Sequence, residues 1–188
     1  MKLIKDKQIL VAADKAGFPL KEAVVRHLKQ QGWTVTDIGV QSADDPNPEM
    51  FHRIGIAAGT KIAEKEFERA LLFCGTGMGI HIAASKCPGV MAGVVENLPS
   101  ALRAITGNNV NCLAIGAYYV APNLAIDMVI PDIRVLFHAV AHLHGNGFGQ
   151  VLDIVLAQQA LQRGFFLGLG VLRGRGFLRG GSRRIVFG

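Results

Sequence analysis

Apolar residues fall in short dense runs, and the runs alternate between two kinds along the chain. Ile9-Leu-Val-Ala-Ala13 is a continuous apolar run that stops at Asp14, which is the signature of a strand buried on both faces. Across residues 19–31 the apolar positions are Leu20, Val24 and Leu28. That is one face of a helix, with Pro19 suited to the first turn and Gly32 to the stop. Residues 33–38 alternate and are rich in β-formers, so they predict a strand. The same reading gives helices over 51–63, 80–85, 99–106 and 124–129. It gives strands over 70–74, 90–95 and 112–115.

Strands and helices thus alternate about five times in the first 130 residues, and most strands are unbroken apolar runs. Both features predict a parallel sheet covered on both faces. Ligands of such sheets sit outside the carboxyl ends of the strands. Three segments with polar or glycine-rich chemistry are placed at strand ends: Asp14-Lys15, the 74–79 loop, and the Gly107-Asn108-Asn109 turn leading into the fifth strand.

Composition narrows the class. The chain has 188 residues, half of them apolar and 18% charged. That is one ordinary domain with material for a core, not a disordered chain. The net charge of +6 is localised. Residues 1–162 carry 14 Lys and Arg against 14 Asp and Glu, while 163–188 hold six Arg and no acid. The main domain, read as 1–162, is therefore neutral. The 163–188 segment, rich in Gly and Arg, reads as a disordered basic arm or as non-native sequence. A nucleic-acid function is disfavoured, because the positive charge lies outside the folded domain. Three cysteines (Cys74, Cys87, Cys112) with no CxxC pair argue against a disulfide framework and for a reducing compartment. No signal-peptide pattern and no apolar run of about 18 residues occurs. The expected location is the cytoplasm, with no membrane partner.

The strongest chemical signal is Cys74-Gly-Thr-Gly-Met-Gly79 at a strand end. Glycines let the backbone turn and aim several N–H groups at one point, and the helix that follows adds to an anion site. A cysteine at its lip has its thiolate favoured and can act as base or nucleophile. A buried strand cysteine beside an ordinary tight turn is the plain alternative. A dinucleotide fingerprint is the weaker reading, since Ile80 stands where GxGxxG needs glycine and the loop follows the third strand. Asp14-Lys15 is either part of the same crevice or a surface ion pair. Asn108 and Asn109 are either hydroxyl binders or turn residues. His138 and His142 share a helix face at i, i+4, and His144 and Asp153 are near in sequence. Ala139 stands where HExxH has Glu, so no metal site is assigned. His81 reads as a packed or hydrogen-bonded histidine.

Taken together and in order, these segments resemble the ribose 5-phosphate isomerase B / galactose-6-phosphate isomerase family. The matching text is Val11-Ala-Ala-Asp14-Lys-Ala-Gly-Phe18-Pro-Leu-Lys21, then Cys74-Gly-Thr-Gly-Met-Gly79-Ile-His-Ile-Ala-Ala84-Ser-Lys86-Cys-Pro-Gly89, then Ser100-Ala101 through Asn108-Asn109 to Ala114-Ile-Gly116. The likeness covers about residues 8–130. It implies a Rossmann-like three-layer αβα sandwich with a five-stranded parallel sheet. It further implies a homodimer, or a tetramer, that interconverts aldose and ketose phosphates through a cis-enediol(ate) without a cofactor. By resemblance Cys74 is the base and Thr76 shuttles protons on oxygen. The backbone of Gly75, Gly77, Met78 and Gly79 forms the anion hole. Asp14, Lys15 and Asn108 bind substrate.

The departures from the family pattern bear on the substrate. Pentose and hexose members usually read Asp-His where this chain has Asp14-Lys15, and His-Asn where it has Gly107-Asn108. The second histidine is credited with opening a furanose ring. Its absence points to an open-chain substrate, such as erythrulose 4-phosphate and its aldose, whose ring-closing hydroxyl is esterified. Ribose 5-phosphate or galactose 6-phosphate isomerisation is the alternative, as is a non-catalytic sugar-phosphate-binding subunit. Tyr118 stands where the family often has Arg, so the phosphate ligands are sought among Lys15, Arg103 and Arg134.

Overall fold

The computed structural model describes residues 7–129. The boundary at 162, the 163–188 segment, Arg134, His138, His142, His144 and Asp153 lie outside the described residues. Ten elements follow one another: β1 (Gln8–Ala13), α1 (Phe18–Gln30), β2 (Thr34–Asp37), α2 (Phe51–Ala63), β3 (Ala70–Cys74), α3 (Met78–Ala84), β4 (Ala92–Val94), α4 (Leu98–Asn108), β5 (Cys112–Gly116) and α5 (Pro122–Val129). The strands form one parallel sheet in the order β2-β1-β3-β5-β4. The predicted alternation is therefore realised as a doubly wound α/β sandwich.

Pleating splits the strand residues between two apolar layers. Ile9, Val11, Phe73 and Ile115 pack with Leu20, Val24 and Leu28 of α1, Ile105 of α4 and Met128 of α5. Leu10, Ala12, Leu72, Cys74 and Ala114 pack with Ile54 and Ala58 of α2 and Ile80 and Ala84 of α3. β1 and β3 carry buried residues on both faces, which is why their sequences read as continuous apolar runs. The chain goes from β1 to β2 on one side and then crosses to β3 on the other. The carboxyl ends of β1 and β3 thus flank the topological switch point.

Element ends follow local chemistry. α1 stops in a Schellman motif: Gly32 takes φ +77°, and the N–H groups of Trp33 and Gly32 donate to the carbonyls of Leu28 and Lys29 at 3.0 Å. Trp33 is spent on this cap, so β2 begins one residue later than its alternation suggests. α4 opens with a capping box between Asn97 and Ser100. α3 begins at Met78, two residues before the apolar pattern announces it, because Gly77 turns the chain at φ +78°. The Met78 N–H then finds the Thr76 hydroxyl oxygen at 3.2 Å. Among the described residues no helix is long and apolar enough to cross a membrane.

Candidate active site

Cys74 ends β3 with its side chain in the α2/α3 layer, 4% exposed. The chain then folds back over it. Gly77, in the left-handed region that suits glycine, brings its N–H to within 3.1 Å of the Cys74 Sγ and donates to it. This hydrogen bond fixes the sulfur beneath the turn of the loop. The Thr76 hydroxyl accepts from the Met78 N–H and keeps its own proton to donate.

This loop is clamped from both sides, and the clamps use the absence of side chains. On the β5 side, the N–H groups of Ala117 and Tyr118 donate to the carbonyls of Cys74 and Gly75, each at 2.9 Å. Gly116 lies so close that a Cβ there would stand 2.7 Å from the Thr76 backbone. The Tyr118 ring rests on Gly75, where a methyl group would meet the ring at 2.5 Å. On the α2 side, the Phe51 ring covers Gly79 in the same way.

Asp14 is the first residue past β1. Its N–H donates to the Phe73 carbonyl at 3.2 Å, so it sits one strand away from Cys74. Its Oδ1 accepts from the Gly17 N–H at 2.8 Å. Burial pushes the Asp14 carboxyl above its ordinary range, opposed by the N–H groups of Gly17 and Ala16. Gly17 in turn lies directly on β3: a Cβ there would be 2.4 Å from the Phe73 carbonyl carbon. Lys15 is exposed and extends its Nζ to 3.5 Å from the Asp45 carbonyl in the β2–α2 loop. Asp14, Lys15 and the 74–79 loop thus gather at the carboxyl edge of the sheet, as expected.

Two other expected residues do not join them within one chain. The Gly107-Asn108-Asn109 turn leads into β5, so it lies at the amino edge, correcting its placement among the strand ends that face the crevice. β5 is five residues long, so about 16 Å of strand separates the two edges. Asn109 takes φ +52° as the C-cap of α4, the turn role open to asparagine. A cavity of about 360 Å³ at that edge is lined by Phe67, Arg69, Pro88 and Asn109 among others, and by neither Cys74 nor Asp14. Arg103 is exposed on α4, whose buried face packs in the opposite layer from the Cys74 side chain.

One residue of the site region escaped the sequence reading. Lys21 is fully buried. Its Nζ donates to Asp37 Oδ2 and to the Val40 carbonyl, both at 2.6 Å, and lies 4.8 Å from the centre of the Phe18 ring. Asp37 also accepts from the Gly39 N–H at 3.0 Å. Gly39 and Val40 are pressed on Ala13, beside Asp14. The signal was available: position 21 falls on the same helical face as Leu20, Val24 and Leu28.

The chain is similar to known proteins in sequence and in fold. The ribose/galactose isomerase family model covers residues 9–133. A 4-deoxy-4-sulfo-D-erythrose isomerase of Clostridium sp. (strain MSTE9) is 40% identical over 121 residues, 64% of this chain and 75% of that protein. D-erythrulose-4-phosphate isomerase 2 of Mycolicibacterium smegmatis is 36% identical, over 65% of this chain and 80% of that protein. Among solved structures, ribose-5-phosphate isomerase B of Clostridium thermocellum superposes with a TM-score of 0.63 at 29% identity, over 72% of this chain and 94% of its own. By sequence match and by fold, the chain belongs to the ribose/galactose isomerase family.

Proposed function

We propose that this chain is a cofactor-free aldose–ketose isomerase acting on an open-chain four-carbon sugar phosphate, of the erythrulose 4-phosphate to erythrose 4-phosphate type. The observation that carries it is the Gly77 N–H on the Cys74 sulfur, inside a loop of backbone donors. Isomerisation needs one base that reaches two adjacent carbons and a cradle for the oxyanion that forms between them. The Cys74 thiolate takes a proton from C1 of the ketose. The electron pair of that C–H bond becomes the C1=C2 double bond, and the C2 carbonyl oxygen becomes the oxyanion. N–H groups of Gly75, Gly77, Met78 and Gly79 hold that charge, those of Gly77 and Met78 turning to it from the Cys74 sulfur and the Thr76 oxygen that they meet in this structure. Thr76 relays a proton between O1 and O2, Cys74 returns its proton to C2, and the aldehyde forms at C1. Asp14 holds chain hydroxyls, and Lys15 meets the phosphate as a point charge; Arg134 is a further phosphate candidate, and Arg103 can serve only from a second copy of the chain.

Two relatives support the four-carbon reading, since each is named for a four-carbon substrate with an anionic group at C4. The missing histidine at 107, which the family resemblance credits with ring opening, also supports it. Asn108 can serve this site only from a second copy of the chain, which is consistent with a homodimer.

The test is solvent-deuterium exchange followed by proton NMR over tetrose, pentose and hexose phosphates. Deuterium enters C1 of the four-carbon ketose fastest, and Cys74→Ala lowers that rate by about 10²–10⁴ while keeping the fold. Faster turnover of ribose 5-phosphate would overturn the substrate, and full activity in Cys74→Ala would overturn the base. No exchange with any substrate would leave a binding subunit.

A further inference from the structure

We infer that Tyr118 limits the length of the sugar chain, a role that rests on the four-carbon isomerase reading above. The sheet order sets β1 and β5 on either side of β3. The floor of the site is therefore the 74–79 loop, with Asp14-Lys15 rising on the β1 side and the turn after β5 on the other. Strand spacing puts those rims about 10 Å apart, two intervals of 4.7–4.9 Å.

The β5 rim is rigid in its backbone and bulky in one side chain. Tyr118 cannot drift from the loop, because its N–H is bonded to the Gly75 carbonyl at 2.9 Å and the preceding Ala117 N–H to the Cys74 carbonyl. Its ring lies on Gly75, with Cε2 at 2.5 Å and Cζ at 2.7 Å from where a Cβ would be. It nevertheless remains 69% exposed and belongs to neither apolar layer. Core packing does not account for an aromatic residue held this way. A wall standing on the first residue of the anion loop does. A substrate anchored by its reacting carbons over Gly75 and Gly77 and by its anion at Lys15 has a fixed span. An added carbon must push against the ring.

The experiment compares Tyr118→Ala and Tyr118→Phe with the native chain, using erythrulose 4-phosphate and ribulose 5-phosphate. Both ketoses are open-chain, because the hydroxyl that would close a furanose is absent or esterified, so ring opening does not enter. The readout is the ratio of kcat/KM for deuterium entry at C1, five-carbon over four-carbon. Tyr118→Ala raises that ratio at least about tenfold, the scale of discrimination by one carbon in a pocket. Tyr118→Phe keeps it within about twofold. An unchanged ratio in Tyr118→Ala, with the native chain active on the four-carbon ketose, overturns the wall and leaves the function standing. Equal shifts in both variants assign the effect to the hydroxyl and also overturn it. A native chain inactive on the four-carbon ketose sinks both readings.

Discussion

Lys21→Met removes the one charged side chain that is buried among the described residues. Methionine keeps the length and the apolar stem but not the ammonium. It leaves Asp37 with a carboxylate whose side chain is only 17% exposed, and leaves the Val40 carbonyl without its donor. Breaking a buried pair from one end costs about 3–5 kcal/mol. The lower end applies, because Asp37 touches solvent and still accepts from the Gly39 N–H, giving about 3 kcal/mol. In a chain of this size each kcal/mol moves the melting temperature by about 2–4 °C, so the expected drop is about 6–12 °C. Adding Asp37→Asn removes the orphaned charge and keeps the acceptor for Gly39, so the double variant recovers about half of the loss. Thermal unfolding by circular dichroism of the native, single and double variants reads both effects. A single variant within about 1 kcal/mol of native, or a double variant no better than the single, refutes the reasoning that charge pairing holds the corner beside Asp14.

Three further outcomes follow from the geometry. Gly17→Ala forces a methyl group to 2.4 Å from the Phe73 backbone and lowers the urea midpoint by the equivalent of about 1–3 kcal/mol or more. Gly107→Ala, with open space around it, raises the midpoint by up to about 1 kcal/mol through helix propensity; equal effects at the two glycines would contradict the packing. Asp14→Asn keeps the acceptor for Gly17 and removes a carboxylate that burial disfavours. The native group is ionised in both folded and unfolded states at neutral pH and bears the full desolvation cost there. It is protonated in both states well below its ordinary range and bears none. The variant therefore melts higher at pH 7, the gap closing as pH falls through the carboxylate range, while isomerase activity is lost. A gap that widens in acid would reverse the assigned shift.

The fold was legible because its three central strands are buried on both faces and its helices carry single apolar stripes. The candidate active-site loop is written in consecutive residues, because its glycines stand together in sequence. Other features were written across the chain rather than along it. The Tyr118 ring meets Gly75 only because β5 lies beside β3, and a lysine on an apolar stripe gives no sign of the aspartate that neutralises it. The Gly107-Asn108-Asn109 turn was assigned to the wrong edge for a related reason. A turn between a helix and the next parallel strand lies at the amino edge, whereas the turn that leaves a strand lies at the carboxyl edge. Periodicity marks both kinds of turn alike.

The cradle over Cys74 is made of peptide N–H groups, and every residue type except proline supplies the same one. Substitution can spoil its shape but cannot delete its chemistry. What a single codon change can replace is the rim: on the reading proposed above, the side chains of Lys15 and Tyr118, which bound the sugar from either side of the loop. If Cys74 is the base and the 74–79 loop the anion hole, as proposed, such an enzyme can move from one substrate to another through intermediates that all retain both. Its specificity is free to drift while its reaction stays the same.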